Sequence, residues 1–224
     1  MTFSIAARCE ESGMFVLAVS SSSPAVAARC AFARAGVGAV ATQNITDPGL
    51  GPRCLDLMQL GSNAGAALDI IAASTPHIEY RQLTAVDRDG GSAVYSGSQV
   101  LGVFGSATAD NVACAGNLLA NDQVPHAMVE DFVASNGHLA DRALSAMEAA
   151  LAAGGEAGPV HSAGLLLVDQ VSWPVASLRI DWTELDPITE LRQLWNLYQP
   201  QLADYVTRAR EPSSAPSYGV PGDE

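Results

Sequence analysis

The sequence contains no lysine; all eleven of its basic residues are arginine. That absence removes Schiff-base chemistry, Ser/Lys dyads and the phosphate-gripping lysine of P-loop proteins. Charged residues are sparse, 16% of the chain, and the balance is acidic at −13. A chain so poor in cations has little with which to neutralise phosphates, so neither nucleic acid nor an anionic membrane surface is an expected partner. The four cysteines, Cys9, Cys30, Cys54 and Cys114, form no C-x-x-C pair. Zinc-ribbon and redox motifs are therefore missing, and scattered thiols point to a reducing cytoplasm. His77, His126, His138 and His161 show no ligand spacing, so no metal is expected. No cofactor is expected either: Gly36-Val37-Gly38 alone is not a dinucleotide fingerprint, and no Walker loop occurs. No apolar run reaches the length of a membrane span. The stretch Met14–Ala28 fails as a signal peptide, because Glu10 and Glu11 precede it and Ser20 to Pro24 interrupt its short apolar core.

What remains is globular. With 224 residues, 48% of them hydrophobic, the chain is long enough for one sizeable domain, expected over 1–210. The Pro-, Ser- and Gly-rich stretch 211–224 reads as a flexible tail. Two apolar runs, Phe3–Arg8 and Met14–Ser20, predict a β-hairpin, and Ala25–Ala35 is weakly helical. Gly36–Gln43 reads as a short buried strand. Pro52 opens a helix that Gly61 stops, and Ser62 is the expected cap of a second helix over Ala64–Ala73. Tyr80–Asp87, Ser92–Ser96, Val100–Phe104 and Asn111–Ala115 read as an antiparallel meander. Helices return at Val124–Ala134 and His138–Ala153, then strands at Ser162–Val168 and Val175–Ile180. A last helix over Pro187–Arg208 is expected to kink or split at Pro200. Runs of helices between runs of strands predict an α+β architecture with helices on the outer faces of antiparallel sheets.

The N-terminus carries chemistry. Thr2 directly follows Met1, and a small second residue favours removal of the initiator. The chain would then open on a residue holding both a hydroxyl and a free α-amine, whose reference pKa of ~7.7–8.0 leaves a useful neutral fraction at cellular pH. Four serines, Ser20–Ser23, are weaker nucleophile candidates, since they lie in no G-x-S-x-G elbow.

Several segments together resemble a known family. They are Thr2-Phe3-Ser4-Ile5, Ala35–Gln43, Gly51-Pro52-Arg53, Glu79–Leu83, Gly116-Asn117 and Ser162-Ala163. They resemble the prokaryotic domain-of-unknown-function family one-zero-two-eight, grouped with the N-terminal-nucleophile hydrolases, some members of which carry a fimbrial-subunit label. The resemblance implies a four-layer αββα sandwich, two antiparallel sheets face to face with helices outside. It also implies Thr2 at the mouth between the sheets, acting as nucleophile on an amide carbonyl with its own α-amine taking the proton. Asn117 is the candidate side-chain donor to the oxyanion, because Gly116-Asn117 follows a strand and glycine permits close approach. Arg53 and Arg81 are the candidate grip on a substrate carboxylate, since a chain without lysine holds an anion by arginine or by backbone. Gln43, Tyr80 and Ser162 complete the expected substrate-binding set. The chain departs from the family's pattern at Leu50, Cys54, Gly155–His161 and Asp181-Trp182.

The expected function is thus hydrolysis of a small carboxylate-bearing amide or N-acyl compound, by a protein whose apolar strands or last helix could pair it into a homodimer. The alternative is an inactive scaffold of the same fold that binds a small anion or a protein.

Overall fold

The computed structural model describes residues 1–222. Its strands are β1 (Thr2–Arg8), β2 (Phe15–Ser21), β3 (Ala31–Arg34), β4 (Gly38–Asn44), β5 (Arg81–Asp87), β6 (Ser92–Ser96), β7 (Gly105–Ala109), β8 (Val112–Asn117), β9 (Ser162–Val168) and β10 (Ala176–Ile180). Its helices are α1 (Ala27–Cys30), α2 (Leu50–Gln59), α3 (Ala64–Ser74), α4 (Val124–Ala134), α5 (Leu139–Ala152), α6 (Pro187–Tyr198) and α7 (Leu202–Arg210). One sheet has six strands in the order β10-β9-β2-β1-β8-β7; the other has four in the order β3-β4-β5-β6. Every pairing is antiparallel.

Alternation along the strands builds the layers. Phe3, Ile5 and Ala7 of β1 share a core with α4, α5 and α6, including the buried Phe132, Met147 and Trp195. Ala6, on the opposite face, packs with Leu17, Val19, Ala41, Val86 and Ala113 between the two sheets. Val40, Leu83 and Ala85 close a third core against α2 and α3. The result is the four-layer αββα sandwich. Trp195 anchors α6 by donating from Nε1 to Asp141 Oδ1 at 2.9 Å, and Arg192 adds ion pairs to Asp141 and Glu148.

Four local expectations need correction. Val100–Phe104 is not a strand, and the 80–115 region is not one meander. β5 and β6 lie in the four-stranded sheet, β7 and β8 in the six-stranded one, and residues 97–104 carry the chain across. Gly97 makes that crossing possible: a Cβ there would stand 2.2 Å from the Glu79 carbonyl oxygen. The cap of α3 is Asn63, whose side chain accepts from Ala66 N at 2.8 Å, rather than Ser62, because the left-handed Gly61 sets the register of the turn. Only Ala27–Cys30 of the weakly helical 25–35 stretch is helix; Ala31–Arg34 is an edge strand. The last helix does split at Pro200, into α6 and α7. After α7 the chain turns back, and the Arg208 guanidinium donates to the Pro216 and Ser217 carbonyls and covers the Tyr218 ring. The last two residues of the expected tail lie outside the described residues.

Candidate active site

Thr2 begins β1, an interior strand of the six-stranded sheet, and is paired with Asn117 on β8. Alternation puts Thr2, Ser4 and Ala6 on the face that looks at the second sheet. Thr2 is 6% exposed, beneath a half-buried Met1. Its hydroxyl stands 3.3 Å from Ser21 Oγ, and both hydroxyls donate to the Met1 carbonyl oxygen.

Behind Thr2 the two sheets are joined by buried amides. Ser4 Oγ donates to Gln43 Oε1 at 2.7 Å, and Gln43 Nε2 donates to Gln82 Oε1 at 2.8 Å. Asn117 Nδ2 donates to the same oxygen at 3.2 Å. Gln82 Nε2 in turn donates to Ser96 Oγ and to the Gly116 carbonyl, each at 3.1 Å. Ser4, Gln43, Gln82 and Asn117 are fully buried, and Asn117 Oδ1 has no hydrogen-bond partner. The chain leaves Asn117 sharply. Leu118 sits in the left-handed region at φ +51°, and Gly116 leaves room for the Leu119 side chain, 2.7 Å from where a Cβ would stand. Asn44, the residue after Gln43, is also left-handed at φ +71°. Backbone strain of this kind, on the order of 1–3 kcal/mol per residue, gathers at functional sites.

Glu156 closes the other side. The residue is 6% exposed; its Oε2 accepts from Ser22 N at 3.2 Å, and Oε1 is buried without a partner. Burial pushes its pKa up to about 8, against opposing pulls from the N-terminal ammonium and Ser22. The loop that carries it is tied to the chain after Asn117 by the Leu119–Glu156 bridge and by Ala157 N donating to the Leu118 carbonyl.

The remaining expected residues are placed as follows. Ser162 pairs with Ser21 across β9 and β2, but its hydroxyl donates to the Ser23 carbonyl at 2.6 Å and accepts from Val26 N. It braces the loop after β2 and makes no bond to Thr2. Arg81 pairs with Asn44 at the same end of the second sheet and donates to the Ile45 carbonyl; its Nε is buried without a partner. Tyr80 precedes it with an exposed ring, and its carbonyl accepts from Asn44 Nδ2. Arg53 bonds to Ser74 and Thr75 at the end of α3, so its hydrogen bonds join two outer helices and none reaches the amide cluster.

Ser4, Gln82 and Glu156 lie at the site and were not singled out by sequence reasoning; Ser21, named there only within the run Ser20–Ser23 as a weaker nucleophile candidate, instead stands beside the Thr2 hydroxyl. Other nucleophiles and clefts are less suited. Burial pushes the Cys54 thiol up to about 12 and the Cys114 thiol higher still. A concavity at the far end of the second sheet, lined by Met58, Asn63, Asp87 and Asp89, is spoken for. Asp87 there accepts from the backbone N–H groups of Ala64, Asp89 and Gly91. Among the described residues no group of three or more His, Cys, Asp or Glu side chains is arranged to hold a metal, and no helix is long and apolar enough to cross a membrane.

The model of the family of unknown function DUF1028 matches residues 2–191, a span that takes in every candidate from Thr2 to Ser162. The chain belongs to this family. It is similar to the crystal structure of a DUF1028 protein from Silicibacter pomeroyi, with 30% sequence identity and a TM-score of 0.84 over 91% of this chain and 92% of that one. Anbu (ancestral beta-subunit) from Yersinia bercovieri also matches, at 10% identity and a TM-score of 0.41 over 90% of this chain and 96% of the other. No curated protein matches the sequence.

Proposed function

We propose that this DUF1028 member is an N-terminal-nucleophile hydrolase. It cleaves the C–N bond of a small carboxylate-bearing amide or N-acyl compound, with Thr2 as nucleophile once Met1 has been removed. The observation that carries the reading is the placement of Thr2: a hydroxyl on the first residue of an interior strand, facing the inter-sheet layer, paired with Asn117 and next to Ser21. Thr2 Oγ1 attacks the amide carbonyl carbon, and its proton passes to the neutral α-amine. Asn117 has spent one N–H of its amide on Gln82, which leaves the second for the developing oxyanion. As the C–N bond breaks, the α-ammonium returns the proton to the leaving nitrogen. Water then hydrolyses the threonyl ester. Of the two arginines, Arg81 suits the substrate carboxylate better, because its neighbour Gln82 belongs to the amide cluster while Arg53 is engaged with α3. Gln43 and Gln82 fix the amide of Asn117 rather than touch substrate, and Tyr80 stands exposed next to Arg81.

The reading is tested on protein from the native host by intact mass and by a panel of N-acyl and N-carbamoyl amino acids. The expected result is a mass lacking Met1 and turnover that Thr2→Ala abolishes. A retained Met1, or turnover that survives Thr2→Ala, overturns it.

One observation favours the second reading, a non-catalytic binding module. With Met1 in place the Thr2 amine is locked in a peptide bond, and both neighbouring hydroxyls are committed to the Met1 carbonyl. In that form the site is a buried polar cluster in which Thr2 has no free amine.

A further inference from the structure

Met1 has partners for its carbonyl and for its side chain. Its carbonyl oxygen accepts from Thr2 Oγ1 and Ser21 Oγ. Its thioether end lies on Gly158, where a Cβ would stand 3.3 Å from Cε and 3.6 Å from Sδ. Gly158 is not among the left-handed residues, so its missing side chain serves this contact and not a turn. Glu156 lies on the same loop as Gly158 and beside Ser22, the neighbour of Ser21; Ser22 N holds its carboxyl through one oxygen while the other stays buried and unpartnered. Carbonyl and linear apolar side chain thus each meet a matching group, and the carboxyl of Glu156, next to Ser22, is left with one oxygen open. A buried carboxyl oxygen without a donor is costly, and a cation placed beside it relieves that cost.

We infer that the place Met1 leaves is the acyl subsite, and that it takes an α-aminoacyl group with an unbranched apolar side chain, its ammonium received by Glu156. The inference rests on the hydrolytic reading and adds to it the acyl half of the substrate. In the reaction Thr2 Oγ1 forms an ester to the aminoacyl carbonyl carbon, the C–N bond breaks, and the leaving amine departs with the proton held by the Thr2 amine. Water releases the free amino acid. Ser21 Oγ holds the carbonyl side of the acyl group, and Gly158 floors its side chain. With a carboxylate on the leaving amine, such a substrate resembles a dipeptide.

Two arms test the inference. In the first, the processed wild type is assayed on the p-nitroanilides of L-methionine, L-norleucine, L-alanine and N-acetyl-L-methionine. The free-amine methionine and norleucine compounds are expected to lead the acetylated one at least tenfold in kcat/KM. Glu156→Gln is expected to erase that lead, mostly through KM, and Gly158→Val to lower methionine and norleucine more than alanine. Equal use of the acetylated compound, or an equal loss on both from Glu156→Gln, overturns the inference. In the second arm, Thr2→Ala protein shown by mass to lack Met1 is titrated calorimetrically with L-methioninamide. Binding that disappears on adding Glu156→Gln supports the subsite whether or not anything is hydrolysed; no binding to Thr2→Ala overturns it. Thr2-dependent hydrolysis of acetylated amides alone would sink the inference and leave the proposed function standing.

Discussion

The layer between the two sheets has two halves of opposite character. Toward one end it is apolar: Phe15, Leu17, Val19, Ala39, Ala41, Val86, Ala113 and Val168 meet without a polar atom among their side chains. Toward the other, the same strands on the same face present Thr2, Ser4, Ser21, Gln43, Gln82 and Asn117, all buried. The first half is what a sandwich needs to hold together. The second replaces packing by directed hydrogen bonds, at a net gain of only about 1 kcal/mol per bond and with a penalty for each group left unpaired. Asn117 Oδ1, Glu156 Oε1 and Thr84 Oγ1 are such groups. Stability alone does not call for them; a site that must meet a polar ligand does.

The contrast can be broken from either side. Thr2→Ala is expected to remove turnover by ~10⁴-fold or more while the melting temperature stays close to that of the wild type, as measured by single-turnover kinetics and calorimetry on processed protein. Leu17→Ala, in the apolar half, is expected to do the reverse. It should cost about 2–5 kcal/mol in denaturant unfolding, with kcat of the folded fraction nearly unchanged. Asn117→Ala lies on the functional side, and its loss is expected to lower kcat by about 10²–10³-fold with little effect on KM. The Glu156 carboxyl gives a pH signature in unprocessed protein. Burial holds its pKa at about 8, so the folded chain keeps a proton that the unfolded chain surrenders above the ordinary carboxylate range. Stability is therefore highest below that range and declines as pH rises toward 8, and Glu156→Gln is expected to flatten the decline in chemical denaturation. The smallest effect is expected for Ser4→Ala, about 1 kcal/mol, because Gln43 keeps its bond to Gln82 when the hydroxyl goes.

The sandwich was largely legible in the sequence because its strands and helices carry strong periodic patterns. Val100–Phe104 misled because an apolar run mimics a strand; Leu101, Val103 and Phe104 are in fact exposed on the crossing between sheets. The site was less legible. Thr2 came from its place after Met1 and Asn117 from the motif, yet Ser4 and Gln82 stood inside quoted motifs and were passed over. A usable signal was present: Thr2 and Ser4 fall at alternate positions of an otherwise apolar strand, as do Gln82 and Thr84. Polar residues in step on one face of a fully buried strand mark a hydrogen-bonded polar layer. Glu156 has no such pattern, since its place is set by a loop that long-range ties to Leu118 and Leu119 bring near the terminus.

The seat of Met1 has a practical corollary. Because the first residue is wedged against Gly158 with its carbonyl gripped by two hydroxyls, an affinity handle fused ahead of it would have to thread out of the crevice and would keep the initiator from being trimmed. Purification handles belong at the opposite terminus, where residues 219–222 run exposed. A screen run on amino-terminally tagged material would miss any activity that needs a freed Thr2 amine.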